Sequence, residues 1–84
     1  MGEFRRGLKR MRKRGADMNR LKEVVFRLAD GMPMPAKMKD HALGGEWNGW
    51  RDCHLSPDWL LIYRLTDEEL ILGGTGTHSD LFGC

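Results

Sequence analysis

Cysteine, proline and long apolar runs are all scarce in this chain of 84 residues. Its two cysteines, Cys53 and Cys84, show no metal-binding or redox spacing, so they exclude a disulfide-stapled scaffold. Cys53 reads as a small strand residue and Cys84 as a frayed terminal thiol. The longest apolar run, Trp59 to Tyr63, falls far short of the roughly 20 residues needed to cross a bilayer. No apolar stretch follows the basic N-terminus, as a signal peptide would require. These absences point to a cytoplasmic chain with no membrane partner. Length itself is scarce: a domain this small buries only about 60% of the surface its unfolded chain exposes. One domain spanning 1–84 is expected, with no room for a separate cofactor-binding unit and no cofactor called for.

Charge is plentiful but unevenly placed. Residues 1–27 hold ten Lys or Arg against Glu3, Asp17 and Glu23, a balance of +7, and the remainder carries −5. Seven of the basic residues, Arg5, Arg6, Lys9, Arg10, Arg12, Lys13 and Arg14, fall within ten positions. Such a cluster suits a phosphate-rich or acidic partner, because Lys and Arg attract phosphates and release their condensed counterions. The plainer alternative is a solvated helix face.

Phe4, Leu8 and Met11 repeat at the spacing of one helix face, predicting a thin amphipathic helix over Phe4–Arg14 that Gly15 ends. Asp17 is the expected N-cap of a second helix through Asp30, with Met18, Leu21, Val24 or Val25, and Leu28 turned inward and Gly31 just past the end. Pro33, Pro35 and Gly44-Gly45 make Met32 to Gly45 a connecting loop carrying Lys37, Lys39 and His41. Strands are expected at Trp47–His54, Trp59–Leu65 and Glu69–Gly73, with turns at Ser56–Trp59 and Thr66–Glu68. Asn48-Gly49 is a strong hairpin signal in isolation. A turn there leaves only Trp50 to Leu55 to pair with the long apolar strand, so an uninterrupted strand is expected. Apolar residues on both faces of Trp59–Leu65 make that strand central. The fold class is α+β, two N-terminal helices packed on a small antiparallel sheet.

Three histidines, His41, His54 and His78, with Asp58 beside a basic surface, suit metal-independent RNA cleavage. That reaction needs a base for the 2′-hydroxyl proton, an acid for the leaving 5′-oxygen, and cations at the phosphoryl oxygens. Histidine can make either transfer near neutral pH, and a carboxylate can orient its ring. Phe82 or Trp59 could stack on a base. A zinc site from His41, His54, His78 and Asp58 lacks any His-x-His or His-x3-His spacing. The run Gly73-Gly74-Thr75-Gly76-Thr77 lacks the Lys-Ser or Lys-Thr of a phosphate loop and reads as a bend ending the last strand. Trp47, Trp50, Leu61 and Tyr63 are expected to pack the sheet. Taken singly, each histidine also fits a surface or capping role.

Four ordered strings are more specific: Lys39-Asp40-His41-Ala42-Leu43, Trp47 through His54, Pro57-Asp58-Trp59 through Tyr63, and Thr75-Gly76-Thr77-His78-Ser79-Asp80-Leu81-Phe82. With Arg14 through Leu21 upstream, the chain resembles the YafQ branch of the RelE/ParE toxin superfamily along nearly its whole length. The resemblance implies a type II toxin, an endoribonuclease that cleaves mRNA in the ribosomal A site and is restrained by a cognate antitoxin, meeting operator DNA only through that complex. It places the active site on His41, His54, Asp58, His78 and Phe82. His54 and His78 would be the proton-transfer pair, Asp58 would support His54, His41 would assist at the phosphate, and Phe82 would hold the base or the C-terminus. Arg5, Arg6, Lys9, Arg10, Arg12, Lys13, Arg14, Lys37 and Lys39 would meet ribosomal RNA, or an antitoxin segment carrying acidic and apolar residues.

Two departures from that pattern stand out. Members of the family begin with a short strand before the first helix, for which Met1-Gly2-Glu3 leaves no space, so the first family strand is expected to be missing. Gly74 stands where relatives commonly place an arginine, removing a cation from the phosphate. Both motivate an alternative, a catalytically attenuated toxin-like module that binds antitoxin or RNA without cleavage.

Overall fold

A computed structural model describes residues 2–83, which places the expectation for Cys84 outside the described residues. Helix α1 (Gly2–Lys13) and helix α2 (Met18–Ala29) lie on one face of a sheet whose strands run in the order β1 (His41–Ala42), β2 (Arg51–Ser56), β3 (Trp59–Leu65) and β4 (Leu70–Gly76), all antiparallel. A short helix α3 (His78–Phe82) follows. No described helix is long and apolar enough to cross a membrane.

The predicted helix signals act locally. Gly15, at φ +84°, closes α1, and the Asp17 carboxylate accepts from the backbone N–H groups of Asn19 and Arg20 to start α2. Gly31 (φ +69°) takes the left-handed conformation beyond α2. Leu21, Val24 and Leu28 turn inward from α2 and Met11 from α1, meeting Cys53, Leu55, Trp59, Leu61 and Tyr63 from the sheet. Burial pushes the Cys53 thiol up to about 12, so it is packing rather than a reactive group. Gly7 is buried as well, because α1 crosses β4 so closely that a Cβ there would lie 2.1 Å from the Thr75 carbonyl oxygen.

Strand β3 is interior and buried on both faces along most of its length. Its partner register, Cys53 to Leu61 and His54 to Leu60, sends Cys53 toward the helices and Asp52 and His54 to the opposite face with Leu60 and Ile62. That second face is covered in part by Trp47 and α3, since a Cβ on Gly74, the partner of Ile62, would touch Leu81 and Trp47.

The structure corrects several boundaries. The expected strand Trp47–His54 is broken: Gly45–Trp47 is a 3-10 turn, Gly49 takes φ +94°, and extended structure begins only at Arg51. Asn48-Gly49 is a turn after all. It folds β2 back onto a short preceding strand, His41–Ala42, lying inside the segment expected to be loop, and the Leu43 N–H donates to the Trp50 carbonyl. The last strand continues past Gly73 to Gly76, and the register slips at Ile62/Tyr63 opposite Gly73, so the glycines form a bulge within the strand rather than its end. Helix α3 was not anticipated, although Thr77 and Asp80 form a capping box. Helix α1 begins at Gly2, so among the described residues no strand precedes it, and β4 stands at one edge of the sheet.

Candidate active site

Pairing of Leu60 with Gly76 brings the two ends of the β3–β4 hairpin level, so that His78, two residues after Gly76, meets Asp58, two residues before Leu60. The His78 Nδ1–H donates to Asp58 Oδ1 at 2.6 Å, and the His78 backbone N–H donates to the same oxygen at 3.0 Å. These bonds hold the Asp58 carboxyl below its ordinary range. They also fix the tautomer of His78 and leave Nε2 for chemistry. Asp58 therefore supports His78, not His54 as expected from their nearness in sequence. Strand β2 ends between His54 and Asp58, while α3 is docked against the turn.

The rings of His54 and His78 lie 5.5 Å apart between centroids, tilted by 50°. The Nδ1 atom of His54 is buried without a hydrogen-bond partner, so Nε2 is the nitrogen a ligand can reach. Both rings line a cleft of about 430 Å³, whose wall also holds Arg20, Lys37 and Lys39.

His41 is set apart from this cleft, on β1 opposite Asp52. Its Nδ1–H donates to the Lys39 carbonyl at 2.8 Å, and the same nitrogen lies 3.2 Å from Asp52 Oδ1. Because that proton points to Lys39, Asp52 Oδ1 is left without a hydrogen-bond partner. Burial raises the Asp52 carboxyl above its ordinary value, and His41 and His54 pull the other way. Asp52 is thus a buried carboxylate on the face of β2 that also carries His54, 3.2 Å from His41, and the sequence reading missed it. The available signal was its alternation with His54 on β2, one face of one strand. Phe82 closes α3, half-buried. Trp59, offered as a base-stacking ring, is buried in the core instead, where its Nε1–H donates to Thr75 Oγ1 at 2.9 Å.

The basic residues divide into two groups. Arg5, Lys9, Arg12 and Lys13 are exposed on α1, and Arg6 pairs with Glu3 beside them. Arg14 is instead turned to Asp80, with Nη1 at 2.7 Å and Nη2 at 3.3 Å, and Arg10 stands 3.8 Å from the same carboxylate. Those two cations, expected to meet RNA, anchor α3 to α1. Asp40, next to His41, accepts from Arg51 Nε at 2.8 Å and Nη2 at 2.5 Å and from the Tyr63 hydroxyl, tying the approach to β1 onto the sheet.

Residues 1–83 match the family described as the bacterial toxin of type II toxin–antitoxin systems, YafQ. The chain belongs to the YafQ toxin family. A YafQ relative, the mRNA interferase toxin YafQ of Escherichia coli K12, is 48% identical over 98% of this chain and 90% of its own length. The crystal structure of the E. coli DinJ–YafQ complex matches with a TM-score of 0.90 at 48% identity, covering 99% of this chain and 93% of the other. A metal-bound toxin from Helicobacter pylori matches with a TM-score of 0.88 at 42% identity, covering 98% and 93%. The α+β architecture expected from the sequence is the one these YafQ structures share.

Proposed function

We propose that this chain is an mRNA interferase, the toxin of a type II pair, which enters the ribosomal A site and cuts mRNA by histidine acid–base catalysis without a metal. The observation that carries the reading is the pair His54 and His78, with rings 5.5 Å apart and His78 locked onto Asp58. Cleavage requires one ring to take the 2′-hydroxyl proton as its oxygen attacks phosphorus. The other gives a proton to the 5′-oxygen as the P–O5′ bond breaks. Two rings with accessible Nε2 atoms on one cleft can serve both steps, and the need for a 2′-hydroxyl restricts the substrate to RNA. His41, beside Asp52 on the neighbouring strand, and Phe82, at the end of the helix that begins with His78, are assigned supporting roles at the phosphate and the base.

The YafQ relative in complex with DinJ supports a cognate antitoxin for this chain. In our reading, operator DNA is met only through that antitoxin complex. The groove between α1 and α2, lined by Phe4, Leu8, Met18, Val25 and Phe26 and flanked by Arg12 and Lys22, suits an acidic, apolar antitoxin segment. The exposed cations of α1 then face either that segment or ribosomal RNA, and the compartment is the cytoplasm. Inducible expression without antitoxin tests the reading: wild type arrests growth, and His54→Ala and His78→Ala, shown folded by circular dichroism, do not. Arrest by both variants would remove the histidine chemistry. Gly74, buried and without a side chain, favours a second reading, a binding module that retains the histidines but cuts nothing. Growth at the wild-type chain's full expression would select it.

A further inference from the structure

Two histidines account for the protons of cleavage but not for the charge that builds on the non-bridging phosphoryl oxygens, which needs a cation held in place beforehand. Strand β4 provides none, since position 74 is glycine packed against Leu81 and Trp47. Most arginines are already engaged: Arg6 with Glu3, Arg10 and Arg14 with Asp80, Arg51 with Asp40, and Arg64 over the Trp50 ring at 4.4 Å. Arg20 differs. It leaves the first turn of α2 and crosses to β2, where Nη1 donates to the Leu55 carbonyl at 3.0 Å, and among the described residues it forms no ion pair. A guanidinium carries five N–H groups, so one anchoring bond aims the group and leaves the rest for a ligand. Arg20 lines the same cleft as His54 and His78, together with Lys37 from the 3-10 turn at Ala36–Met38, and that lining contains no Asp or Glu.

We propose that Arg20 is the phosphate-binding cation of this cleft, contacting a non-bridging oxygen of the scissile phosphodiester, with Lys37 as its neighbour. The assignment of that phosphate to a scissile RNA bond rests on the nuclease reading above. Binding of the anion itself does not. The Leu55 carbonyl is one residue from His54, so the bond that aims Arg20 also sets its distance from the catalytic ring.

The test uses the full chain and two readouts. Inorganic phosphate is titrated into wild type, Arg20→Gln and Arg27→Gln while the amide signals of Leu55, Ser56 and His78 are followed by NMR. Glutamine keeps a donor for the Leu55 carbonyl and removes the charge, and Arg27 lies on α2 outside the cleft, bonded to the Pro33 carbonyl. Saturable shifts are expected in wild type and Arg27→Gln, weakened at least about ten-fold in Arg20→Gln, as loss of a charge-assisted contact implies. In single-turnover cleavage of ribosome-bound mRNA, Arg20→Gln is expected to lose about 10²–10³ in rate, and Arg20→Lys to recover part of it. Equal phosphate affinity and equal rate in wild type and Arg20→Gln would overturn the proposal while leaving the nuclease reading intact. Arg20-dependent phosphate binding in a wild-type chain that cuts no RNA would overturn the nuclease reading and keep the anion site. Where Arg20→Gln melts below the assay temperature, Arg20→Lys takes its place: weakened phosphate shifts and a rate below wild type are expected, because the ammonium keeps the charge but loses the guanidinium fork, and wild-type values of both would overturn the proposal.

Discussion

Replacing Gly7 with alanine sets helix propensity against packing, and the structure says which wins. Glycine in a helix interior is about 1 kcal/mol worse than alanine, so propensity alone predicts a more stable protein. The new Cβ, however, would lie 2.1 Å from the Thr75 carbonyl oxygen, 3.1 Å from its carbonyl carbon and 3.3 Å from its Cγ2. Ordinary carbon–oxygen contacts are about 3.3 Å or more, so α1 must retreat from β4 by about 1 Å. The obstacle is backbone in a paired strand, which no side-chain rotamer relieves. Overpacking of this kind costs about 1–3 kcal/mol, here at the upper end because Phe4, Leu8 and Met11 lift off with the helix. The balance is a loss of about 2 kcal/mol. For a domain of this size that lowers Tm by about 8–16 °C in a thermal melt followed by circular dichroism. An unchanged or raised Tm would refute the close helix–strand approach.

Thr75→Val leaves the buried Trp59 Nε1–H without its acceptor and the Leu60 carbonyl without the Thr75 hydroxyl donor, a loss of about 1–3 kcal/mol by thermal melt; a near-neutral variant would contradict that network. The Arg14 guanidinium, then the Thr77 N–H, hold the Asp80 carboxyl well below its ordinary range. A depressed carboxyl contributes stability that is full above its unfolded value of about 4 and is lost as pH falls through the folded value. The Tm gap between wild type and Asp80→Asn is therefore expected to be constant from pH 5 to 7 and to close on acidification below about 4; a gap independent of pH would refute it. Asp52 has the opposite sign: burial raises its carboxyl, so the charged form weighs against the fold at neutral pH. Asp52→Asn is expected to raise Tm at pH 7 and to lose that gain below pH of about 4. A lower Tm at pH 7 would count against this reading.

Much of this site was legible because short-range chemistry controlled it. Asp17, Gly15 and Gly31 bound the helices through their own backbone preferences, and the Pro57-Asp58 turn with its long apolar strand located the hairpin that carries His54. What depended on register was not legible. Asp58 pairs with His78 because Leu60 faces Gly76 across two strands, which no local pattern encodes. Asn48-Gly49 does not read as a turn when the strand after it, Trp50 to Leu55, looks too short to pair with the long apolar strand, and the two-residue strand His41–Ala42 that precedes it carries no local signal. Asp52 carries no signal of its own in the sequence, and only its burial shows the face it shares with His54. Arg10 and Arg14 read as part of a basic run, and only the docking of α3 revealed that they serve Asp80.

The central claim is that His54 and His78 cut mRNA on the ribosome, and mapping mRNA 5′ ends in translating ribosomes after brief induction tests it most directly. Wild type is expected to produce new ends within A-site codons that vanish in both His54→Ala and His78→Ala while the proteins remain folded. Ends that persist in both variants, or none at all from a folded, soluble wild-type chain, would contradict it.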